Sequence, residues 1–341
     1  MKVNILSNKI SWFGKYSGYE CLPEYFNGDI EPTINIAQYN IYNKLVGKFY
    51  KVRNGLEHRS EDILNEVRFL RKAKNFDVSH ILYLESHLDL VPSVRQKCTR
   101  LIGTIHLPFS QWNKVRLQKL SPVNNAILLY NEEVELFSKY IPKENLHVIK
   151  HGVDIDFFKP GDPALVKKNK VLFVGHFLRN FEMMDNVVDK IAASIKDTIE
   201  YHFIIPSAFR MHPVLVDFLN RPNVFFHEKL SDEELLEQYQ TSYVMLMPML
   251  DSGANTAIVQ ALSVGLPIIT TDTGGIRSYG GGSVFEVINN NDSSSMTALF
   301  ARYFNDEGFR NEISAGQRSL ATEHLDWRLI AKQHASIYKN L

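Results

Sequence analysis

Short apolar, β-branched runs recur along this chain, and their spacing is what most limits the folds open to it. VNILS (3–7), INIAQYN (34–40), VSHILYLE (78–85), RLIGTIHL (100–107), AILLYN (126–131) and HVIKHGV (147–153) come first. After a polar gap follow KVLFVG (170–175), EYHFIIP (200–206), VFFHEKL (224–230), YVMLMPM (243–249) and PIITTD (267–272). Segments such as SEDILNEVRFLRKAKN and SDEELLEQYQTS between them carry helical periodicity and acidic first turns. Strands that alternate with helices build parallel sheets, and this many strands predict two of them. The pattern breaks at FFKPGDPALVKKNK (157–170), where prolines, a glycine and a lysine cluster read as a linker. The predicted plan is an N-terminal domain over 1–158 and a C-terminal domain over 168–324. The amphipathic helix over 325–341 is expected to return toward the first domain. NNNDSSS (289–295) reads as a loop.

Two doubly wound domains put a cleft between them, and ligands of such sheets bind at the carboxyl ends of strands. Charge narrows the ligand classes. The 38 basic and 38 acidic residues cancel, which gives no argument for nucleic acid. The halves differ, since residues 1–150 hold 21 Lys/Arg against 15 Asp/Glu. A basic first half suits an anionic acceptor or a peripheral contact with a membrane surface, and equally fits ordinary variation between domains. Two cysteines, Cys21 and Cys98, make no disulfide framework and point to a reducing compartment. MKVNILSNK lacks the apolar core of a leader, and no run approaches the roughly 20 apolar residues of a spanning helix. The expected place is the cytoplasm, with the inner face of the membrane as the alternative.

The stretch SGANTAIVQALSVGLPIITTDTGG (252–275) contains no Lys or Arg. Asn255 and Thr256 predict a helix start, and Gly265 with Pro267 its stop. A bare helix N-terminus that follows a glycine is an anion site made of backbone N–H groups. In VIKHGVDIDFFKP (148–160), Asp154 and Asp156 have the spacing to hold Mg²⁺ or Mn²⁺. With no third ligand nearby, the competing reading is stronger: the acids cap a turn and Phe157/Phe158 plug the domain junction.

VIKHGVDIDFFKP resembles the hinge signature of glycosyltransferase family 4, roughly pNGVDxxxFxP. VLFVGHFLRNFE (171–182), LSDEELLEQYQTSYVMLMPM and the run ending in TDTGG resemble that family's donor-binding core, in its order and spacing. The resemblance covers residues 147–279, and is fainter in YSGYE (16–20), HILYLESH (80–87) and TIHLPFSQW (104–112). It implies the GT-B fold, α/β, with two Rossmann-like domains facing each other across a cleft. It also implies a retaining transfer of a sugar from a UDP- or GDP-type nucleotide sugar, with no cofactor and no metal, to a hydroxyl of a glycan, lipid or small molecule.

Several site residues follow from the resemblance. The backbone around Gly253, Ala254, Asn255 and Thr256 faces the donor diphosphate. Arg179 is the cation on those phosphates, with Gly175 before it and Gly18 in a second glycine loop; the rival for Arg179 is a tie to an acid such as Glu182. The backbone of Lys229 and Leu230 meets the base. Gln260 stands where the family usually carries a ribose-gripping Glu. Ser252 stands at the first position of its paired glutamates, with Asp251 beside it. His106 matches a histidine beside the donor sugar. Glu85 takes the acceptor's proton or holds the acceptor, and Tyr19, His87 and Trp112 are acceptor-side candidates. His80 and His151 read as structural. QWNKVRLQKL (111–120) is either a half-buried helix with a basic face or a membrane-lying segment. Sugar-nucleotide epimerases and phosphorylases share the two-domain plan but lack the hinge-plus-TDTGG arrangement. The rival of another class is a degenerate, non-catalytic subunit, and Gln260 and Ser252 are its support.

Overall fold

The computed structural model describes residues 1–8, 10, 14–54, 56, 58–89, 100–121 and 123–341. Cys98 lies outside them. The described residues form two compact units. Unit 1 holds 1–13, 17–151 and 327–341; unit 2 holds 14–16 and 152–326. Among these residues no helix is long and apolar enough to cross a membrane.

Unit 1 is built on a six-stranded sheet of β1 (Lys2–Ser7), β2 (Glu31–Ile36), β3 (Val78–Ile81), β4 (Leu101–Ile105), β5 (Asn125–Leu128) and β6 (Leu146–Val148), in the order β2-β1-β3-β4-β5-β6. Every pairing is parallel. The central strands β3 and β4 are buried along their whole length, as strands covered on both faces must be. β2 begins and ends earlier than its apolar run suggests. Pro32 is tolerated inside it because β2 is an edge strand, where the missing N–H breaks no ladder. Two helices follow it: α1 (Ile41–Asn54) and α2 (Ser60–Lys72).

Unit 2 repeats the design with β7 (Lys167–Val174), β8 (Glu200–Ile204), β9 (Val224–His227), β10 (Ser242–Met247), β11 (Ile268–Thr271) and β12 (Val287–Ile288), in the order β12-β11-β10-β7-β8-β9. Again all pairings are parallel. The apolar run of β10 is buried at all six positions. The stretch 157–166 packs within this unit: the Phe158 ring meets Tyr239 edge-on, and its carbonyl accepts from Ser263 and Arg318. The serines of NNNDSSS are not loop. They form the first turn of a helix over Ser293–Asn305, because Asp292 caps it by accepting from the Ser295 N–H at 3.0 Å.

The order of each sheet fixes where its loops part. In unit 1 the chain leaves β1 for β2 and returns on the other side to β3. In unit 2 it leaves β7 for β8 and returns to β10. The crevices of such sheets open at those reversals, beyond the carboxyl ends of β1/β3 and of β7/β10.

Candidate functional site

In unit 2 the two loops at the reversal are tied together by backbone. Asn180 N–H donates to the Pro248 carbonyl at 2.9 Å and Leu250 N–H to the Leu178 carbonyl at 2.9 Å, while Arg179 and Met249 pair as an antiparallel bridge. The first loop bends through Gly175 at φ +83° and Leu178 at φ +56°. A left-handed leucine is costly, and such conformations persist where surrounding contacts enforce them. Gly175 is required for a second reason. A Cβ there would lie 2.9 Å from the Arg179 guanidinium, so the glycine makes room for the cation.

Arg179 is held by carbonyls, not by an acid. Its Nε and Nη2 donate to the Val174 carbonyl at 3.1 and 3.0 Å, Nη1 to the Phe177 carbonyl at 3.0 Å, and Nη2 reaches Asn255 Oδ1 at 3.5 Å. The expected rival, a tie to Glu182, is not formed; Glu182 faces His212 at 3.9 Å. Burial lowers the Arg179 pKa to about 10, which still leaves it cationic at neutral pH. Among the described residues no carboxylate lies within ion-pairing distance of it.

Beside this cation the helix α8 of unit 2 begins. (Among the described residues five helices come between α2 and it: α3 at Lys114–Gln118, α4 at Val134–Phe137, α5 at Phe181–Ser194, α6 at Pro213–Phe218 and α7 at Asp232–Thr241, which leads into β10.) α8 spans Thr256–Val264; Asn255 caps it by accepting from the Ala257 N–H at 3.1 Å, and Gly265 ends it at φ +73°. Among the described residues no acceptor meets the backbone N–H groups of Gly253, Ala254, Asn255 or Thr256. They carry the positive end of the helix dipole, about half a unit charge. The TDTGG turn braces the loop from behind: Gly275 N–H donates to the Ser252 carbonyl at 2.9 Å, and a Cβ on Gly274 would sit 1.8 Å from that oxygen. That contact explains why a glycine stands there.

The side chains read as donor ligands behave differently. Gln260 is buried, and its Oε1 accepts from the Tyr239 hydroxyl at 3.0 Å. The Ser252 hydroxyl donates to the Gly253 carbonyl at 2.8 Å, and Asp251 Oδ1 accepts from the Ser252 N–H at 2.7 Å. Lys229 turns the chain after β9 at φ +55°, with Leu230 half-buried next to it. Asp154 accepts from the N–H groups of Asp156 and Phe157 at 3.0 and 2.9 Å. It is a turn cap, and no cluster of three metal-ligating side chains occurs among the described residues.

In unit 1, Asn8 follows β1 and His87 follows β3, and they meet across the reversal: His87 Nε2 lies 3.0 Å from Asn8 Oδ1. The His87 Nδ1 is buried and has no partner among the described residues. Glu85, two residues earlier, is buried; it accepts from the His106 N–H at 3.3 Å, and burial raises its carboxyl to about 7. His106 follows β4 directly, stacks on Tyr83 at 4.4 Å and places Nε2 2.7 Å from the Leu82 carbonyl. Burial, then the neighbouring His151, lowers its pKa to about 3, and burial does the same to His87, also to about 3. These imidazoles are neutral.

Three further candidates serve the framework of unit 1. Gly18, at φ +91°, starts the 3₁₀ turn Tyr19–Tyr25. Tyr19 is fully buried and its hydroxyl lies 2.8 Å from His334 Nε2. Trp112 is packed in the core, its Nε1 donating to the Leu107 carbonyl at 3.1 Å. His80 is structural, bridging Tyr338 at 2.6 Å and Thr104 at 2.8 Å. Tyr239, Asn8 and Tyr83 also stand at these sites and carry no motif in the sequence. Only the position of Tyr83 and Asn8 just past strand ends could have drawn attention to them.

Residues 168–306 match the family model described as glycosyl transferases group 1. A relative in Mycolicibacterium hassiacum, named an MMP α-(1→4)-mannosyltransferase, is 21% identical over 208 residues, 58% of this chain and 49% of that protein. The putative glycosyltransferase EpsF of Bacillus subtilis is 23% identical over 38% of this chain and 37% of its own length. The chain thus spans less than half the length of these two relatives. Among solved structures, Anabaena Alr3699/HepE in complex with UDP-glucose superposes with a TM-score of 0.76 over 100% of each chain, at 14% identity. That likeness shows the fold, which is GT-B. Residues 168–306 are a group 1 glycosyl transferase domain, and the chain that carries them has the GT-B fold.

Proposed function

We propose that this chain is a retaining, metal-independent hexosyltransferase that moves a sugar from a UDP- or GDP-sugar to a hydroxyl of a glycan, lipid or small molecule. The observation that carries the reading is Arg179, which among the described residues has no carboxylate partner, set against the N–H groups at the start of α8 that meet no acceptor among those residues. A guanidinium and a helix N-terminus at one reversal suit a leaving diphosphate. In the proposed step the bond from the sugar C1 to the diphosphate oxygen breaks while the acceptor oxygen bonds to C1 on the same face. The acceptor's proton passes to the departing diphosphate oxygen, and the charge left there is what Arg179 and the dipole stabilise. Lys229 and Leu230 we assign to the base, Gly18 and Gly175 to loops that admit the phosphates, and Asp251, Ser252 and Gln260 to the rim of the donor site. Glu85 and His106 we assign to the reacting groups, and Tyr19, His87 and Trp112 to the acceptor side, Tyr19 and Trp112 through the framework they hold. HepE with UDP-glucose favours a uridine donor.

The second reading is a degenerate transferase that binds without turning over, and a specific observation favours it. Gln260 Oε1 is engaged by Tyr239 and the Ser252 hydroxyl by a carbonyl, so neither offers the carboxylate the family uses. A thermal-shift panel of UDP, GDP, ADP, CMP and their sugar conjugates, with and without Mg²⁺, tests the site. A ligand at about a hundred times its Kd adds roughly 2.7 kcal/mol. One nucleotide diphosphate should raise the melting temperature equally in EDTA and in Mg²⁺, and the matching sugar conjugate should hydrolyse slowly without acceptor. A shift without hydrolysis supports the degenerate reading; a shift that requires Mg²⁺ removes metal independence; no shift at all overturns the site.

A further inference from the structure

The helix α1 of unit 1 has two differently built faces. Asn43, Gly47 and Tyr50 turn inward, and a Cβ on Gly47 would lie 1.7 Å from the Ser60 carbonyl, so the glycine lets α1 press onto the start of α2. The opposite face is apolar and open to solvent. Ile41 is 77% exposed, Leu45 64%, Phe49 63% and Val52 75%, with Tyr42 beside them at 61%. Their spacing, i, i+4, i+8 and i+11, lays them along one stripe. Apart from Val115, every large hydrophobic residue exposed among the described residues of unit 1 falls between Ile34 and Val52, so the patch is confined to one place.

Charge identifies what this face fits. The helix IYNKLVGKFYKVRN carries Lys44, Lys48, Lys51 and Arg53 and no acid. On the helical wheel Lys44 and Lys48 border one side of the stripe and Arg53 the other, and Arg68 of α2 stands 5.7 Å from the Tyr42 ring. An apolar stripe edged by cations on long aliphatic stems is the design of a helix lying in a lipid interface: the rings and aliphatic groups enter the acyl boundary and the cations stay at the phosphates. A second copy of the chain is a poorer occupant, because pairing this face with itself would bring like charges together.

We propose that the outer face of α1 docks unit 1 on an anionic phospholipid surface. The segment QWNKVRLQKL does not serve that purpose: it forms only the short α3, with Trp112 and Leu117 buried and Val115 left exposed. The proposal does not depend on the transferase reading.

The test is flotation of the purified protein with vesicles of phosphatidylcholine alone or mixed with phosphatidylglycerol, at low and high salt, with light scattering on the same samples. The protein should float with the anionic vesicles, and high salt should weaken that binding. Lys44→Glu/Lys48→Glu should reduce it by at least about tenfold. Leu45→Asn/Phe49→Asn should reduce it by at least about tenfold as well while sparing the charge. All four positions are exposed, so the melting temperature should hold. Absence of flotation, equal binding to neutral vesicles, or binding untouched by both double variants overturns the proposal. So does a wild-type dimer that Leu45→Asn/Phe49→Asn converts to monomer, which would make the face an interface between copies.

Discussion

The two sheets reverse at equivalent topological positions, yet their reversals carry contrasting chemistry. In unit 2 the reversal is electropositive and made mostly of backbone: free N–H groups, a helix dipole and one arginine fixed by carbonyls. In unit 1 it is made of side chains pushed toward neutrality, a carboxyl raised to about 7 and two imidazoles lowered to about 3. A main-chain anion site is insensitive to pH and to most side-chain changes, and sensitive to loop geometry. A desolvated side-chain site is the reverse.

The largest effect should come from Arg179→Ala, which removes the carbonyl-held cation from a site otherwise made mostly of backbone. Transfer should fall by about 10²–10³-fold, with a matching loss of nucleotide affinity by calorimetry. A loss under about fivefold would mean the backbone suffices alone. Next come two glycine substitutions. Gly274→Ala drives a Cβ against the rigid Ser252 carbonyl at positive φ, and should cost about 2–4 kcal/mol along with donor binding. Gly103→Ala in β4 presses first on the Leu84 side chain, which can shift more readily than backbone, and about 1 kcal/mol is expected. Equal costs by thermal melting would erase the distinction.

Acid should separate the units. His80, His87 and His334 are buried in unit 1 and His106 is half-buried there, and burial lowers the pKa of each, that of His334 to about 4. A histidine with a lowered folded pKa contributes stability that is present above its ordinary value of 6.5 and lost as pH falls toward 4 and 3. Hydrogen exchange at falling pH should therefore release the strands of unit 1 before those of unit 2, where His202 is lowered to about 4 but only half-buried. Simultaneous release would refute this. The smallest effect is on Glu85→Gln. The raised carboxyl favours folding below 4.5 and loses that contribution as pH rises through about 7. The variant should melt higher than wild type at about pH 8 and lack any rise in rate through about pH 7. An unchanged rate profile would take Glu85 out of the reaction.

The contrast also explains what was legible in the residues alone. All eleven apolar runs correspond to strands, and in β3, β4 and β10, buried at every position, the run is apolar because both faces are covered. The α8 start and stop were readable from Asn255 and Gly265, since caps act locally. What stayed hidden depends on partners far off in sequence. Nothing around Gln260 announces that Tyr239 engages its amide, and nothing around His87 points to Asn8, 79 residues earlier. Serines after asparagines read as a loop until Asp292 is seen to cap them. The outer face of α1 is hidden for a simpler reason: exposure of an apolar stripe cannot be told from burial by its periodicity.

One feature of the connectivity bears on how the molecule is made. The final helix, α11 (Trp327–Asn340, after α9 at Ser293–Asn305 and α10 at Glu307–His324), belongs to unit 1, where Tyr338 bonds His80 and His334 lies against Tyr19. On a ribosome, unit 1 is therefore synthesised first but cannot fill its core until residue 340 has emerged, by which time all of unit 2 is already available to fold. A nascent chain interrupted before Trp327 would hold a finished second unit and an open first one, with His80 and Tyr19 lacking their partners. Quality-control proteases would meet that exposed core on every incomplete copy.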